Sequence, residues 1–276
     1  MKLNILAVSA LLISSTSFGA GYTKHLISGS DTMGGVMTDA IIAAGMDQVI
    51  GYVGGGSSVG EKAFANGEIG ITAMSREMKP EVVGALQAAG VNPVAHAVAL
   101  DGISVFVNSS NATPGVDLTT LAKIFTCEIT SWAQVPGSGK NGAIRAYRRN
   151  DESGTTDTFK NLVGVKAFGA CVTVLAETAD IAEKTGVDAD AVGYAGLSGK
   201  TDKNRELGVS KAGNAYIQPT VATIRNKTYP LARTLFVYEA AGARQPNQAE
   251  AQLLEQLLDR SFLDPIVQDH DFVTLD

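Results

Sequence analysis

Three segments of the sequence place glycine beside serine or threonine directly before a predicted helix. They are residues 28–33 (SGSDTM), 54–60 (GGGSSVG) and 152–157 (ESGTTD). Glycine lets the backbone approach a ligand closely, hydroxyl groups donate hydrogen bonds, and the first amides of a helix are unpaired donors with partial positive charge. One such corner is usually only a helix cap. Three of them together point to an anion site between converging helix ends.

Two arginines follow predicted strands closely. Arg76 comes after the strand at residues 69–73, and Arg149 comes after the strand at residues 143–146. A guanidinium can donate two hydrogen bonds to a tetrahedral oxyanion, and it stays charged at any physiological pH. Each arginine is therefore a candidate anion ligand, and a structural ion pair is the alternative for each.

Asp101 lies between two apolar strands, where an unpaired carboxylate would be costly. Its partner could be a ligand proton, since phosphate keeps a proton near neutral pH and sulfate does not. It could equally be Arg76 or Arg149, which Asp101 would then orient, or Asp101 could form a turn before Gly102. The residues alone leave these roles open.

The alternative to an anion-binding protein is an enzyme, namely a serine hydrolase. Residues 56–60 (GSSVG) match the G-x-S-x-G elbow with Ser58 at its centre, and Asp101 and His270 follow in the order of a catalytic triad. No HGGG-like oxyanion segment stands upstream, however. Ser58 and Glu61 also have the spacing of a capping box, which would occupy the serine hydroxyl. A P-loop is excluded because no complete G-x-x-x-x-G-K-[ST] motif is present.

Short apolar runs rich in valine and isoleucine alternate with helical patterns, which is typical of an α/β fold with a parallel or mixed sheet. We expect strands at residues 25–27, 48–53, 69–73, 93–99, 103–107, 143–146, 192–194 and 235–237. We expect helices at residues 32–44, 59–65, 81–89, 118–125, 156–163, 181–184, 219–224 and 249–258. This alternation places the three glycine and hydroxyl segments at strand-to-helix corners.

The charge of the chain argues against nucleic-acid binding. Its 276 residues include 22 Lys+Arg and 28 Asp+Glu, for a formal net charge of -6, and no basic tract interrupts this balance. The two cysteines and the histidines His25, His96 and His270 have no metal-ligand spacing. We therefore expect neither a metal nor a cofactor.

The first twenty residues predict a secretory signal peptide. Lys2 is followed by an apolar run at residues 5–13 and by small residues up to position 20, and the run is too short to span a membrane. A buried N-terminal strand is the alternative. In an oxidising compartment Cys127 and Cys171 could form a disulfide, and two free buried thiols are the alternative.

A domain boundary is expected after Val107. Residues 108–115 (NSSNATPG) are polar, contain proline and glycine, and lead into a new helix capped by Asp117. A second extended crossing near residues 229–237 would return the chain to the first lobe. Two such crossings would make a discontinuous first lobe around an inserted second lobe.

These motifs, in their order and spacing, resemble the periplasmic phosphate-binding proteins of phosphate ABC transporters, the PstS family. The resemblance is carried by residues 28–33, 55–64 (GGSSVGEKAF), 73–79 (AMSREMK), 100–103 leading to 107–108, 124–132 (IFTCEITSW), 149, 153–155 and 229–233 (YPLAR). It implies a two-lobed type II venus-flytrap fold, in which two βα domains are joined by a hinge of crossing strands. The expected divisions are a signal peptide at 1–20, a first lobe at 21–107 plus 235–276, and a second lobe at 108–234.

The resemblance also implies a function without covalent chemistry. The protein would be a periplasmic monomer that binds inorganic phosphate in its cleft and presents it to a membrane permease, or it would bind another oxyanion. The phosphate contacts implied are Ser30, Thr32, the Met33 amide, Ser57, Ser75, Arg149, Ser153, Gly154 and Thr155.

One branch of the family carries an aspartate proton acceptor directly after the serine that aligns with Ser75. This chain has Arg76 there, so Asp101 would accept the ligand proton and Arg76 would be a second cationic contact. Cys127 stands where similar sequences are expected to carry glycine, which fits an added disulfide with Cys171.

Overall fold

The computed structural model describes residues 23–211 and 214–275, in which strands and helices alternate. The strands are β1 (His25–Ser28), β2 (Ile50–Val53), β3 (Ile71–Met74), β4 (Val91–Gly102), β5 (Ser104–Asn108), β6 (Gly115–Asp117), β7 (Arg145–Arg149), β8 (Val172–Leu175), β9 (Ala191–Ala195), β10 (Asn204–Ser210) and β11 (Ala232–Gly242). The helices are α1 (Gly34–Ala43), α2 (Ser57–Asn66), α3 (Pro80–Ala88), α4 (Leu118–Phe125), α5 (Gly154–Val163), α6 (Thr178–Val187), α7 (Val221–Arg225), α8 (Gln248–Leu258) and α9 (Arg260–Asp269). The expected signal peptide at residues 1–20 lies outside the described residues.

The described strands fall into two groups. In the first, β1 pairs in parallel with β2, and β11 lies between β3 and β4 with antiparallel pairing. In the second, six strands form one mixed sheet in the order β6-β10-β5-β9-β7-β8. We call the first group, with the helices α1 to α3, α8 and α9, the first lobe. The second group, with α4 to α6, is the second lobe.

The chain crosses between the lobes twice. Strand β4 ends at Gly102 and β5 begins at Ser104, so Ile103 marks the first crossing. The chain returns between the end of β10 at Ser210 and the start of β11 at Ala232. This connectivity agrees with a discontinuous first lobe, whereas the expected boundaries at residues 107 and 234 stay predictions. Because β5 belongs to the six-stranded sheet, we place the first crossing nearer Ile103 than Val107.

The centre of the second lobe is the pair β5 and β9, all of whose residues are buried. Their β-branched and aromatic side chains suit a strand that is covered on both faces. Helix α6 packs against both strands, and the ring centroid of Phe125 on α4 lies 5.3 Å from that of Tyr194 on β9. Helix α4 is capped by Asp117, whose carboxylate accepts a hydrogen bond from the Thr120 amide at 2.9 Å. Strand β7 pairs with β9 and is followed by α5, so this core positions the corner between β7 and α5.

The expected elements are found, with shifts of a few residues at their ends. Three strands and one helix were not expected: β6, β8, β10 and α9. Strand β6 is only three residues long, β8 is only four residues long and largely exposed, and β10 begins with polar residues, so none contains a long buried apolar run. Helix α9 contains Pro265, and proline disfavours the interior of a helix.

The two cysteines are bonded to each other. The disulfide Cys127–Cys171 joins the residues after α4 to the start of β8 within the second lobe. The expected disulfide is confirmed, and the alternative of two free thiols is wrong.

Candidate anion-binding site

The three glycine and hydroxyl corners meet between the lobes. Thr32 Oγ1 of the first lobe lies 2.9 Å from Thr155 Oγ1 of the second, and Ser57 Oγ lies 3.2 Å from Ser75 Oγ. Gly154 packs against both serines, and all five residues are buried. The structure thus brings together, from two lobes, hydroxyl groups that are more than a hundred residues apart in sequence.

Backbone contacts hold these corners in place. Gly56 precedes α2 with a φ of 135°, a conformation that favours glycine, and α2 begins at Ser57. Ser57 Oγ accepts a hydrogen bond from the Ser75 amide at 3.0 Å, so the corner before α2 is tied to the end of β3. In the second lobe Ser153 caps α5 by accepting from the Thr156 amide at 3.4 Å.

The capping box expected at Ser58 and Glu61 is wrong, because Gly56 is the residue that precedes α2 and no side chain caps this helix. The Ser58 hydroxyl instead accepts a hydrogen bond from Arg76 Nη2 at 3.1 Å. Asp101 and His270 bind other partners, and His270 Nε2 lies 2.8 Å from Asp39 Oδ2. The structure does not bring Ser58, Asp101 and His270 together as a triad.

Arg149 is 1% exposed at the end of β7. Its Nη1 donates to Asp31 Oδ2 at 2.6 Å and to Thr178 Oγ1 at 3.0 Å. Its Nε and Nη2 are buried and have no partner within the described residues. A charged donor without an acceptor is costly in a protein interior, so these two atoms mark a place where an anion would be bound favourably.

Asp31 was not among the expected site residues, although it lies inside the 28–33 segment. Its Oδ2 accepts from Arg149 Nη1 and from the Thr178 amide, the latter at 3.0 Å. Asp31 belongs to the first lobe and both donors belong to the second. The carboxylate therefore fixes the orientation of Arg149 across the space between the lobes.

Arg76, expected as a second cationic contact, is bonded to two carboxylates. Its Nε donates to Asp157 Oδ2 at 2.9 Å, and its Nη1 and Nη2 donate to the two oxygens of Glu61 at 2.8 and 2.9 Å. Burial acts to lower the pKa of Arg76, but the hydrogen bonds and charges of Glu61 and Asp157 outweigh it, so the pKa is raised. Because Asp157 lies on α5 and Glu61 on α2, Arg76 links the two lobes.

The partner of Asp101 is Arg233, not Arg76 or Arg149. Asp101 is fully buried, and its Oδ2 accepts from Arg233 Nε at 2.8 Å and from Nη2 at 2.6 Å. Its Oδ1 accepts from the Leu197 amide at 3.0 Å. Arg233 was not expected at the site, and the only signal for it was the last position of the YPLAR segment.

Other expected residues lie at the same corners. The Ser30 side chain is buried, and its carbonyl accepts a hydrogen bond from Tyr52 Oη at 2.8 Å. Burial, with a smaller effect of the Asp31 charge, raises the pKa of Tyr52 well above its ordinary value, so this hydroxyl stays a donor. The Met33 amide donates to the Ser30 carbonyl at 3.2 Å, and the Met33 side chain belongs to the core.

Two further observations concern metals and membranes. Among the described residues, no group of three or more histidine, cysteine, aspartate or glutamate side chains is arranged to hold a metal ion. None of the helices in residues 23–211 and 214–275 is long and apolar enough to cross a membrane.

Comparison with known proteins identifies the class to which this fold and site belong. The sequence profile of the PBP superfamily domain matches residues 14–260, which is most of the chain, and the chain belongs to that family. It is 32% identical over 192 residues to Protein SphX of Synechococcus elongatus, and the match covers 66% of this chain and 57% of SphX. It is 27% identical over 228 residues to the Phosphate-binding protein PstS of Pseudomonas aeruginosa, covering 78% of this chain and 71% of that protein.

A solved structure supports the fold. The protein from Clostridium perfringens that was crystallised with bound phosphate matches with a TM-score of 0.77 at 23% identity, over 92% of this chain and 100% of that chain. The expected two-lobed α/β fold of periplasmic binding proteins is confirmed. The chain spans little more than half the length of SphX, the relative with the highest identity among these three.

Proposed function

We propose that the protein binds inorganic phosphate between its two lobes and presents it to the membrane permease of a phosphate ABC transporter. The name of the Pseudomonas aeruginosa relative and the phosphate bound in the Clostridium perfringens structure support this ligand. The protein would act as an exported monomer in the periplasm, after removal of the signal peptide expected at residues 1–20.

One observation carries the proposal: the free edge of the buried Arg149 guanidinium. Its Nε and Nη2, which have no partner among the described residues, lie on one edge of the planar group. That edge can donate two parallel hydrogen bonds to two oxygens of a tetrahedral anion. Because Asp31 and Thr178 hold the opposite side, the free edge is preorganised and little rotamer entropy is lost on binding.

The hydroxyl groups of the converging corners supply further donors. The proposed contacts on the first lobe are Ser30, Thr32, the Met33 amide, Ser57 and Ser75, and those on the second are Arg149, Ser153, Gly154 and Thr155. These groups become donors to the anion when it displaces the hydrogen bonds they make to one another, such as that between Thr32 and Thr155. Affinity then arises from many charge-assisted hydrogen bonds in a buried site, although the chain as a whole is acidic.

We place Arg76 outside the phosphate contacts. Its guanidinium is already bonded to Glu61 and Asp157, which favours a role in closing the lobes over the direct contact expected from the sequence. We propose that closure is a hinge motion about the two crossings, at Ile103 and between Ser210 and Ala232.

Calorimetry on the phosphate-free protein tests the proposal. We expect phosphate binding that Arg149→Gln weakens by about tenfold to a hundredfold or more, since a hydrogen-bonding group to a charged ligand is lost. Arg145→Gln is the matched control, because Arg145 lies on the same strand but pairs with Asp188 at the surface. A wild type that binds sulfate and not phosphate, or an Arg149→Gln variant with unchanged affinity, would overturn the proposal.

A further inference from the structure

We infer that Arg233 is a positioning residue that holds Thr32 and Thr155 as hydrogen-bond donors to the ligand, and that Asp101 serves Arg233 instead of accepting the ligand proton. The inference rests on the proposed phosphate site. Through these contacts the Arg233–Asp101 pair makes the site prefer the more deprotonated form of the anion.

The pair is built into the sheet of the first lobe. Arg233 on β11 lies directly opposite Asp101 on β4 in the antiparallel register, so their side chains leave the same face of the sheet. Arg233 is 8% exposed and Asp101 is fully buried. Since a buried charge pair is expensive to desolvate, stability alone is a weak reason for it, and a role at the adjacent site is a stronger one.

The oxygens of Asp101 are largely occupied. Oδ2 accepts two hydrogen bonds from Arg233 and Oδ1 accepts one from the Leu197 amide. A carboxylate offers about four lone-pair sites, so three of them are used within the protein. This leaves Asp101 poorly placed to accept a proton from phosphate and well placed to fix the Arg233 guanidinium.

The rest of the guanidinium is directed to the hydroxyl groups of both lobes. Arg233 Nη1 donates to Thr155 Oγ1 at 2.9 Å, and Nη2 approaches Thr32 Oγ1 at 3.4 Å. A hydroxyl oxygen that accepts from an arginine keeps its own proton for donation. When the anion displaces their mutual hydrogen bond of 2.9 Å, both threonine protons can be donated to it. The threonines therefore favour an oxygen that carries charge over one that carries a proton.

Several charged groups lie near Arg233. Asp101 faces it from β4, and the groove of about 570 Å³ beside it is also lined by Arg76, Glu77, Lys79, Glu81 and Asp157. Arg76 in that groove is bonded to Asp157 and to Glu61. The three histidines lie elsewhere, bonded to Glu250, Glu239 and Asp39. Between pH 6 and pH 8.5 we therefore expect the pH dependence of binding to follow the ionisation of phosphate itself.

The test compares phosphate and sulfate affinities at pH 6 and pH 8.5 for the wild type, Arg233→Gln, Arg233→Lys and Asp101→Asn. We expect the wild type to bind phosphate more tightly at pH 8.5. Arg233→Gln should lose about tenfold to a hundredfold in phosphate affinity, with the larger loss at pH 8.5. Arg233→Lys, which keeps the charge, should retain the pH dependence with weaker binding. Asp101→Asn should weaken phosphate binding without strengthening sulfate binding.

Three results would overturn the inference. A rise in sulfate affinity in Asp101→Asn, with phosphate affinity kept, would make Asp101 the proton acceptor. Equal losses for Arg233→Gln at both pH values would make Arg233 a structural residue only. If the glutamine variant does not fold, an Arg233→Lys protein that loses the pH dependence of the wild type would overturn the inference instead. A wild type that fails to bind phosphate would overturn the proposed function, and this inference with it.

Discussion

Gly154 and Ser57, which belong to different lobes, lie so close that no side chain fits between them. A methyl group on Gly154 would lie 2.7 Å from Ser57 Cβ and 2.8 Å from Ser75 Oγ, and closer still to Ser57 Oγ. Gly154 is the first residue of α5 and Ser57 the first of α2. The described conformation therefore brings two helix N-termini into direct contact, and only glycine allows it.

Gly154→Ala should prevent the lobes from closing fully. The clash is with the other lobe, so opening relieves it and the fold itself is not strained. We expect phosphate affinity to fall by about a hundredfold, the loss of roughly 3 kcal/mol of closing contacts. The thermal unfolding temperature without phosphate should change little. Calorimetry and thermal melting measure the two effects.

Gly84→Ala is the control for this variant, because Gly84 lies within α3 and a methyl group there would meet no atom within 4 Å. Its phosphate affinity should equal that of the wild type. A Gly154→Ala protein that binds phosphate normally would show that these helix ends are not in contact in the bound form.

The ion pair between Arg76 and Asp157 should slow the dissociation of phosphate. Asp157→Asn removes the charge that joins α5 to Arg76, at 2.9 Å, while Glu61 still pairs with Arg76. Because Asp157 is partly exposed, we expect a loss of affinity of no more than about tenfold. It should appear as faster dissociation with unchanged association, measured by stopped-flow fluorescence.

Asp151→Asn is the matched control, since Asp151 pairs with Arg148 inside the second lobe and is well exposed. If Arg76 instead bound phosphate directly, Arg76→Ala would lose far more affinity than Asp157→Asn. Equal losses in the two variants support the role in closure.

The sequence was sufficient to predict the corners but not the way they are joined. The corners at residues 28–33, 54–60 and 152–157 can be recognised locally, because glycine and hydroxyl residues directly before a helical pattern are visible in the adjacent sequence alone. The pairing of Asp101 with Arg233 depends on strand register between β4 and β11, across 132 residues, and Asp31 with Arg149 depends on closure. Such contacts have no local pattern.

The difference between local and long-range signals also explains which strands can be predicted from the sequence. Strands with strong apolar runs, such as β5, were predicted, whereas β8 and β10 owe their conformation to pairing with β7 and β5. Strand β8 has only four residues and is largely exposed, and β10 begins with polar residues, so tertiary context decides.

Reduction of the disulfide should destabilise the second lobe. Cys127 and Cys171 are 44 residues apart, and a loop of this length corresponds to ~4 kcal/mol in the chain-entropy model. We expect the double variant Cys127→Ser, Cys171→Ser to unfold at lower urea concentration by an amount of this order, with phosphate affinity little changed. Equal urea midpoints for the variant and the oxidised wild type would contradict the expected stabilisation.

Buried tyrosines should make the protein sensitive to alkaline pH. Burial raises the pKa of Tyr194, and the hydrogen bond with Thr156 and the charge of Arg148 only partly oppose this. Tyr194 also stacks on Phe159, with ring centroids 3.8 Å apart. An exposed tyrosine in the unfolded chain loses its proton near pH 10, as an unperturbed tyrosine does. The native state keeps the proton to higher pH.

Above pH 10 the unfolded state therefore binds fewer protons than the native state, and the free energy of unfolding falls as pH rises. The stabilisation that one buried tyrosine contributes is fully present below pH 10. Above pH 10 the free energy of unfolding falls by an amount that approaches about 1.4 kcal/mol per pH unit for one such tyrosine. Tyr194→Phe should make the decline between pH 10 and pH 11 shallower, measured by urea unfolding at fixed pH. Tyr216→Phe is the control, because Tyr216 is 39% exposed. A Tyr194→Phe protein whose stability declines as steeply as that of the wild type would show that the Tyr194 proton is not retained by folding.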